Sequence, residues 1–401
     1  MSIKTLSINI GKALLINAFF MFIAIVISVI EGFDSGFTPL AISFSVTFIT
    51  GMFPFIFVKS EPSATLQSGF MTIVLSWLLS FVFGMLPYVL WGGEFTLINA
   101  WFESVSGYTT TGATILTDIE SLPKSILFWR SSTHFIGGLG VIIFLLMVLP
   151  DSSAVKLRLT HLELSSLSKE GYRFRSGTTA RVMVGVYCAL TTCLFLLLWA
   201  AGMSPFDAVN HAFSTVSTGG FSTRNMSIMH YDSVIIDIIL TVFMILSSMH
   251  FGTLFAIAVK RSFKPLGNSV TRYYLSIIAV ISIIIMLSLK LQGGYESWGK
   301  ALLDSTFQTA SYISTTGFGQ ADNALWPLLA NTLLIFAAFH CGCSGSTTGG
   351  IKADRAYISI KAIYGEFQKR LHPNSMFRTR INGRILDEEA ISSVFLYIVL
   401  Y

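Results

Sequence analysis

Long apolar runs separated by short polar turns make up most of the chain. Eight of these runs predict membrane-spanning helices, and they cover residues 13–30, 40–58, 70–90, 126–149, 182–201, 234–259, 273–291 and 325–339. A helix needs about 20 mostly apolar residues to cross the hydrocarbon core of a bilayer. A further apolar run begins at Ile391 and reaches Tyr401. The pattern therefore predicts an all-α integral membrane protein.

Three of the polar turns share one sequence pattern. They read TTTGAT at 109–114, STGGF at 217–221 and STTGFG at 314–319. When the turns are aligned on Gly112, Gly220 and Gly317, serine or threonine lies both two and three residues before each glycine. A polar residue also lies nine positions before each glycine: Glu103, His211 and Gln308. The chain thus contains one unit, apolar helix–polar turn–apolar helix, three times.

A short segment leads into each of the three turns. These segments are 99–107, the stretch that begins at Pro205, and 301–313. Each is too short to cross a bilayer, and proline is favoured in the first turn of a helix. We therefore predict three re-entrant pore helices, each followed by its polar turn.

The three turns offer uncharged oxygen atoms at membrane depth. Irregular backbone is tolerated there only where it is buried in protein or lines water. Carbonyl and hydroxyl oxygens can replace the hydration shell of a monovalent cation. The predicted ion-filter residues are Thr110, Thr111, Gly112, Thr218, Gly219, Gly220, Thr315, Thr316 and Gly317. The alternative is that such clusters are ordinary loops, but three copies in register favour a filter.

Composition and charge agree with a membrane protein. The chain is 53% hydrophobic and 12% charged, whereas about 25% of residues are charged in soluble domains. With the N-terminus in the cytoplasm, the basic residues on the outer side are Lys124, Arg130, Arg224, Lys290 and Lys300. The rest of the 26 lysines and arginines are then cytoplasmic, as the positive-inside rule requires. Because the basic residues lie in loops between spans, we expect membrane lipid and no nucleic acid as a partner.

The eighth apolar run ends in a glycine-rich stretch. Glycine costs roughly 1 kcal/mol in a helix interior, so the helix is predicted to break at 340–350. The predicted gate residues are Gly342, Gly345, Ser346, Thr347, Thr348, Gly349, Gly350 and Lys352. The repeat geometry places this break on the cytoplasmic side of the filter, where Lys352 could repel cations in a closed state. The alternative is a merely flexible bend.

Several other polar residues invite a functional interpretation. Cys341 and Cys343 beside His340 have no second ligand pair, so we predict packing in a bent helix and no transition-metal site. Asp207 and Asp304 are predicted to cap short helices. For Asp237 both a functional role and interfacial solvation stay open. His134 and the glycines of 137–140 indicate close helix packing.

Five stretches together resemble the Trk/Ktr superfamily of potassium transporters. They are ESVSGYTTTGATIL (103–116), LPKSILFWRSSTHFIGGLGVIIF (122–144), STVSTGGFSTRN (214–225), SYISTTGFGQAD (311–322) and CGCSGSTTGGIK (341–352). Two spans before the first repeat resemble the TrkH branch. The resemblance implies helix–pore loop–helix repeats around a pseudo-fourfold ion pore, with filter glycines Gly112, Gly220 and Gly317. It also implies a homodimer that binds a cytoplasmic nucleotide-binding regulatory subunit of the TrkA type.

The repeats divide the chain into five predicted segments. These are two N-terminal transmembrane helices outside the repeats (1–62), the first repeat (63–155), the second repeat (156–265), the third repeat with its glycine-rich break (266–365), and a cytoplasmic linker with the start of a fourth repeat (366–401). The family pattern has four filter turns and this sequence contains three. We therefore expect the chain to be truncated before the fourth repeat.

These observations predict potassium uptake across the bacterial cytoplasmic (inner) membrane, with a cytoplasmic N-terminus. The predicted path runs through the Thr/Ser-Gly filter and is gated by the glycine-rich loop; a channel and a sodium- or proton-coupled symport both stay open. No catalytic motif, phosphate loop or redox motif occurs, so we predict no enzyme and no cofactor, with potassium as the substrate. One alternative, a secondary transporter of a small solute, is disfavoured because such folds usually contain inverted repeats. Another, a non-transporting anchor or sensor, leaves the three matched turns unexplained.

Overall fold

The structure is a computed structural model, and it describes residues 3–58, 66–147, 176–259, 261–372, 379–382 and 384–401. Within these ranges the regular structure is helical apart from a two-residue antiparallel pairing of β1 (Arg380–Ile381) with β2 (Arg384–Ile385). The helices are α1 (Ile3–Ile30), α2 (Phe37–Phe57), α3 (Leu66–Gly84), α4 (Leu86–Trp91), α5 (Leu97–Tyr108), α6 (Lys124–Met147), α7 (Ser176–Ala200), α8 (Pro205–Val216), α9 (Val234–Ser247), α10 (Phe251–Ala258), α11 (Ser269–Leu291), α12 (Trp298–Ile313), α13 (Leu328–His340), α14 (Ala353–Leu371) and α15 (Glu388–Leu400).

Five helical stretches of the described residues are long and apolar enough to cross a membrane. They are Lys4–Ile30, Phe37–Phe57, Gly69–Trp91, Val182–Ala200 and Ser269–Leu291, and the bent pair of α9 and α10 makes a sixth. The fourth predicted span forms α6, although its residues 148–149 lie outside the described residues. The eighth predicted run forms only the 13-residue helix α13, which begins at Leu328 after Pro327 and ends at His340. α1 begins at Ile3, ten residues before the predicted start of the first span at residue 13, because the more polar residues that precede the apolar run are helical as well.

The third predicted span, 70–90, is confirmed as Gly69–Trp91, with one turn residue, Met85, between α3 and α4. α3 ends at Gly84 and α4 begins at Leu86, with a proline in its first turn at Pro87. Proline has no backbone N–H to continue the ladder. The carbonyl of Gly84 instead accepts a hydrogen bond from Trp129 Nε1 at 3.0 Å. A proline and a tertiary contact together therefore break this helix.

The sixth predicted span, 234–259, is interrupted by a sharp bend. α9 and α10 are bent by 111° at a break after Ser247. The Ser248 carbonyl accepts from the Cys343 N–H at 2.8 Å, and the Phe251 N–H donates to the Gly345 carbonyl at 3.1 Å. The glycine-rich stretch thus satisfies the backbone groups that the bend frees.

The chain forms two compact units. The first contains α1 to α8, α9 as far as Phe243, and residues Thr316–Gln320; the second contains the rest of α9 and the other elements from α10 onward. Buried residues of α1, α4, α5 and α6 form a core in the first unit, among them Met21, Tyr88, Tyr108 and Trp129. That core positions the start of the first polar turn.

Candidate functional site

The three predicted short helices exist, and each leads directly into its polar turn. They are α5, α8 and α12. The Thr96 hydroxyl caps α5 by accepting from the Asn99 N–H, and the Ser204 hydroxyl caps α8 by accepting from the Asp207 N–H. Ser and Thr are strong N-cap residues because their oxygen satisfies an orphan N–H of the first turn.

The three turns have the same backbone conformation. The threonines two positions before the filter glycine are all left-handed, with φ of 54° at Thr110, 58° at Thr218 and 57° at Thr315. The glycines are left-handed as well, with φ of 75° at Gly112, 87° at Gly220 and 83° at Gly317. A β-branched residue with positive φ is a genuine outlier that costs roughly 1–3 kcal/mol. Three such outliers at matching positions make the three turns a candidate functional site.

Backbone hydrogen bonds explain how each helix turns into its filter segment. The Thr110, Thr218 and Thr315 N–H groups each donate to the carbonyl three residues earlier, at 3.0–3.1 Å. In the first two turns the next N–H reaches back five residues, from Thr111 to Ser106 and from Gly219 to Ser214. A left-handed residue with such bonds is the usual way to end an α-helix. The carbonyls of the residues that follow are released from the helical ladder.

The first two turns and residues 316–319 of the third turn lie side by side within the first unit. A Cβ atom placed on Gly112 would overlap the carbonyl oxygen of Gly219, and one on Gly220 would overlap the carbonyl oxygen of Thr316. The segment after the second turn also holds the third, because the Ile228 and Met229 N–H groups donate to the Gly319 carbonyl. The predicted filter positions 110–112, 218–220 and 316–317 therefore follow one another in one contiguous arc.

Buried polar side chains brace the far side of each turn. They belong to the position nine residues before the filter glycine, which the sequence marks only as polar. Glu103 accepts from the Thr114 hydroxyl at 3.0 Å, His211 Nε2 lies 3.0 Å from Ser222 Oγ, and Gln308 donates to the Ala321 carbonyl at 3.1 Å. Each pore helix therefore fastens the chain that leaves its own turn.

Comparisons with known proteins agree with this arrangement. Residues 40–401 match the family described as TrkH, cation transport protein. The chain belongs to the TrkH family. It is 35% identical over 308 residues to the Trk system potassium uptake protein TrkH of Salmonella typhimurium, and 34% identical over 309 residues to TrkG of Escherichia coli. These alignments cover 76% of this chain in both cases, and 64% and 63% of those relatives.

A solved structure shows the same fold. The crystal structure of the potassium transporter TrkH from Vibrio parahaemolyticus has a TM-score of 0.88 and 28% identity, and the match covers 100% of this chain and 83% of that one. The predicted family and the predicted class, an all-α multi-pass membrane protein, are therefore confirmed. The filter and gate roles of individual residues stay predictions.

The glycine-rich stretch of this TrkH-family chain is a loop held by specific contacts in the second unit. We call residues 341–352, between α13 and α14, the gate loop. Lys352 has a left-handed φ of 73°, and its ammonium donates to the carbonyl and hydroxyl oxygens of Thr348. Ser344 donates to Asp354 Oδ1 through both its N–H and its hydroxyl, at 3.3 and 2.5 Å. The Gly349 N–H donates to Thr315 Oγ1 at 3.4 Å.

The remaining predicted gate residues contribute contacts of their own. A Cβ on Gly342 would lie 2.7 Å from the Ser248 carbonyl oxygen. Gly350 has a left-handed φ of 74°, and a Cβ there would overlap Cys341 Sγ. The Ser346 hydroxyl bonds to the Cys343 carbonyl at 2.6 Å and lies 2.8 Å from Thr348 Oγ1. The Thr347 hydroxyl reaches the Ser247 carbonyl at 3.5 Å. These bonds favour a structured loop over a flexible bend.

The structure corrects the capping predictions for Asp207 and Asp304 and bears on the two alternatives for Asp237. Neither Asp207 nor Asp304 is the N-cap of its helix; Asp207 lies in the first turn of α8, and Asp304 accepts from the Tyr295 hydroxyl at 2.8 Å. Asp237 is buried and accepts from Gln320 Nε2 at 3.0 Å, so it is not solvated at an interface. It anchors the chain just after the third turn.

The carboxylate of Asp207 fastens the chain after the second turn. It accepts from the Thr223 hydroxyl at 2.6 Å and from Arg224 Nη2 at 3.0 Å. Burial by itself raises the pKa of Asp207, but the bonds from Thr223 and Arg224 and the guanidinium charge outweigh burial and lower this pKa below its ordinary value. The carboxylate is therefore held ionised at neutral pH.

We expect Asp207→Asn to lower the melting temperature near pH 7 and to have little effect in acid. A lowered folded-state pKa means that the ionised carboxylate stabilises the fold. That contribution is complete above the unfolded-chain pKa of about 4 and is lost as the pH falls through the folded-state value. The check is thermal unfolding of both proteins in detergent at about pH 7 and at about pH 2, where the carboxyl is largely protonated in both states. An equal difference at both pH values would contradict the assignment.

We expect the packing of α6 behind the turns to be sensitive to single methyl groups. The sequence predicts close packing at 137–140, and the structure confirms it for two positions. A Cβ on Gly137 would overlap the Tyr108 carbonyl oxygen, and one on Gly138 would lie 2.8 Å from Ser217 Cβ. Gly137→Ala should therefore reduce the yield of folded protein, as measured by size-exclusion chromatography, whereas Gly185→Ala, with no atom within 4 Å of its Cβ, should not.

Proposed function

We propose that this TrkH-family chain carries out potassium uptake across the bacterial cytoplasmic membrane. The observation that carries the proposal is the arc of three turns with matching left-handed threonines and glycines. Its relatives in Salmonella typhimurium and Escherichia coli are potassium uptake proteins by name. The proposed role is transport without enzymatic chemistry and without a cofactor.

The filter we propose consists of residues 110–112, 218–220 and 315–317. Released carbonyls and threonine hydroxyls supply neutral oxygens, which can replace the water around a monovalent cation without holding it as tightly as a carboxylate would. Rigid packing matters here because the spacing of the oxygens decides which cation fits. The backbone overlap that a methyl group would cause at Gly112 and Gly220 supports that rigidity.

The gate loop is the proposed control point. Its position between α13 and α14 and its bonds to Ser248, Thr315 and Asp354 support a loop that blocks the path when these contacts are made. Opening requires their loss, and the Lys352 ammonium adds a charge that repels cations while the loop is in place. We also propose the division of the chain into two N-terminal helices (1–62), three repeats (63–155, 156–265 and 266–365), and a linker with the start of a fourth repeat (366–401).

The proposed setting follows from charge and resemblance. The distribution of lysine and arginine supports a cytoplasmic N-terminus in the inner membrane. The resemblance to the Trk system supports a homodimer and a cytoplasmic nucleotide-binding subunit of the TrkA type as partner. A secondary transporter of a solute is less well supported, since the three turns share one backbone conformation.

The test is growth and ion uptake in a bacterial strain that lacks its own potassium uptake systems. The complete gene should restore growth at low potassium and produce rubidium uptake that potassium inhibits. An empty vector sets the background, and immunodetection of the membrane fraction confirms expression. Background uptake from a strain with the protein in its membrane would overturn the proposal.

A further inference from the structure

A buried arginine on α6 lies behind the first two turns. Arg130 is 1% exposed and Glu103, on the pore helix α5, is fully buried. Arg130 Nη2 lies 2.7 Å from Glu103 Oε1, and its Nε donates to the same oxygen at 2.7 Å. Burying an ion pair costs desolvation free energy. The hydrogen bonds that Glu103 and Arg130 make to other groups therefore indicate what the pair contributes.

On the side of Glu103, the pair holds the first turn. The carboxylate accepts from the Thr114 hydroxyl and from the Ile115 N–H at 3.3 Å. Arg130 Nη2 lies 3.3 Å from Thr114 Oγ1 as well. Both charged groups therefore fix the chain two residues after Gly112.

On the side of Arg130, the pair reaches the second turn. Nη1 donates to the Ser222 carbonyl at 3.3 Å, and the guanidinium carbon lies 4.0 Å from the centre of the Phe221 ring. The His134 ring, one turn further along α6, stacks on the same phenylalanine at 4.0 Å with an angle of 17°. Phe221 directly follows the filter glycine Gly220, so Arg130 holds the second turn at the position just after its filter.

We propose that Arg130, charged and oriented by Glu103, is a positioning residue that sets the distance between the first and second filter turns and thereby the choice between potassium and sodium. This inference rests on the proposed function. Arginine suits the task because its planar head presents five donors in a fixed geometry, which the single ammonium of lysine does not. The equivalent His211 and Gln308 bond to their own turns, whereas the Glu103–Arg130 pair joins two turns.

The test compares four variants with wild type in the uptake-deficient strain. They are Arg130→Met, Arg130→Lys, the double variant Glu103→Gln/Arg130→Met, and Lys124→Met as control. Lys124 is on the same helix and is also ion-paired, to Glu31 at 2.9 Å, but it is half exposed and contacts no described filter residue. The readout is rubidium uptake with increasing sodium or potassium as competitor.

We expect Arg130→Met to reduce potassium-over-sodium discrimination by about tenfold or more, the factor that ~1.4 kcal/mol produces. Arg130→Lys keeps the charge but loses the planar guanidinium with its fixed donors, so it should retain only part of the discrimination. Lys124→Met should match wild type. Size-exclusion chromatography and the melting temperature in detergent separate a folding defect from a selectivity defect.

The double variant keeps the inference testable where a lone buried charge prevents folding. Glutamine at 103 can still hold Thr114, as Gln308 holds Ala321 in the third repeat. We therefore expect the double variant to fold but to discriminate as poorly as Arg130→Met. Wild-type discrimination in the double variant would show that only the orphan charge mattered and would overturn the inference. Background uptake by wild type itself would overturn the proposed function instead, so the two failures are distinct.

Discussion

We expect Gly112→Ala and Gly220→Ala to abolish rubidium uptake, and Gly317→Ala only to weaken it. All three glycines are left-handed, which alone costs an alanine roughly 1–2 kcal/mol, a factor of roughly 5–30 in an equilibrium ratio. At Gly112 and Gly220 the added methyl group also overlaps a backbone carbonyl oxygen of the neighbouring turn. That oxygen cannot move aside without shifting the backbone of the neighbouring turn. At Gly317 no atom lies within 4 Å of the added carbon.

The matched control is Gly319→Ala in the third turn. Gly319 has no positive φ and no atom within 4 Å of an added Cβ, so uptake should stay near the wild-type rate. Rubidium uptake and its inhibition by sodium are measured for all four variants at equal membrane expression. If Gly317→Ala proved as damaging as Gly112→Ala, strain rather than contact between the turns would govern the filter.

Removal of residues 345–348 from the gate loop should raise basal uptake severalfold and weaken its dependence on the regulatory subunit. The deletion removes the Gly345 carbonyl that accepts from Phe251 and the Thr348 oxygens that hold Lys352. Asp354→Ala should act in the same direction but less strongly. It removes the acceptor for two Ser344 donors, and a buried donor left unpaired costs about 1–3 kcal/mol.

The control for the gate is Glu366→Ala on the same helix, α14. Glu366 is exposed and pairs with Lys369 at 2.6 Å, so basal uptake should not change. The measurement is rubidium influx with and without the co-expressed regulatory subunit. Unchanged basal influx after the deletion, in a protein that still elutes as a single species, would indicate a hinge rather than a gate.

The sequence by itself determined the helical membrane class, the three turns and the break after His340. These features are local: apolar runs predict spans, Ser/Thr/Gly clusters with one spacing predict repeated turns, and closely spaced glycines end a helix. The left-handed conformation of Thr110, Thr218 and Thr315 is consistent with that local pattern. β-Branched residues rarely adopt this conformation on their own. It requires the surrounding packing.

Only the tertiary structure decided how distant segments satisfy one another. The bend between α9 and α10 contains no glycine or proline at 247–251. It is stable because the backbone groups that it frees bond to the gate loop. Arg130, counted from sequence as an outer basic residue, is buried because Glu103, Ser222 and Phe221 surround its head group. Glu103, His211 and Gln308 occupy the same position in the three repeats. The hydrogen-bond partner of each depends on the path of the chain after its own turn. Such partners lie far apart along the chain, and no local periodicity encodes a contact that packing alone creates.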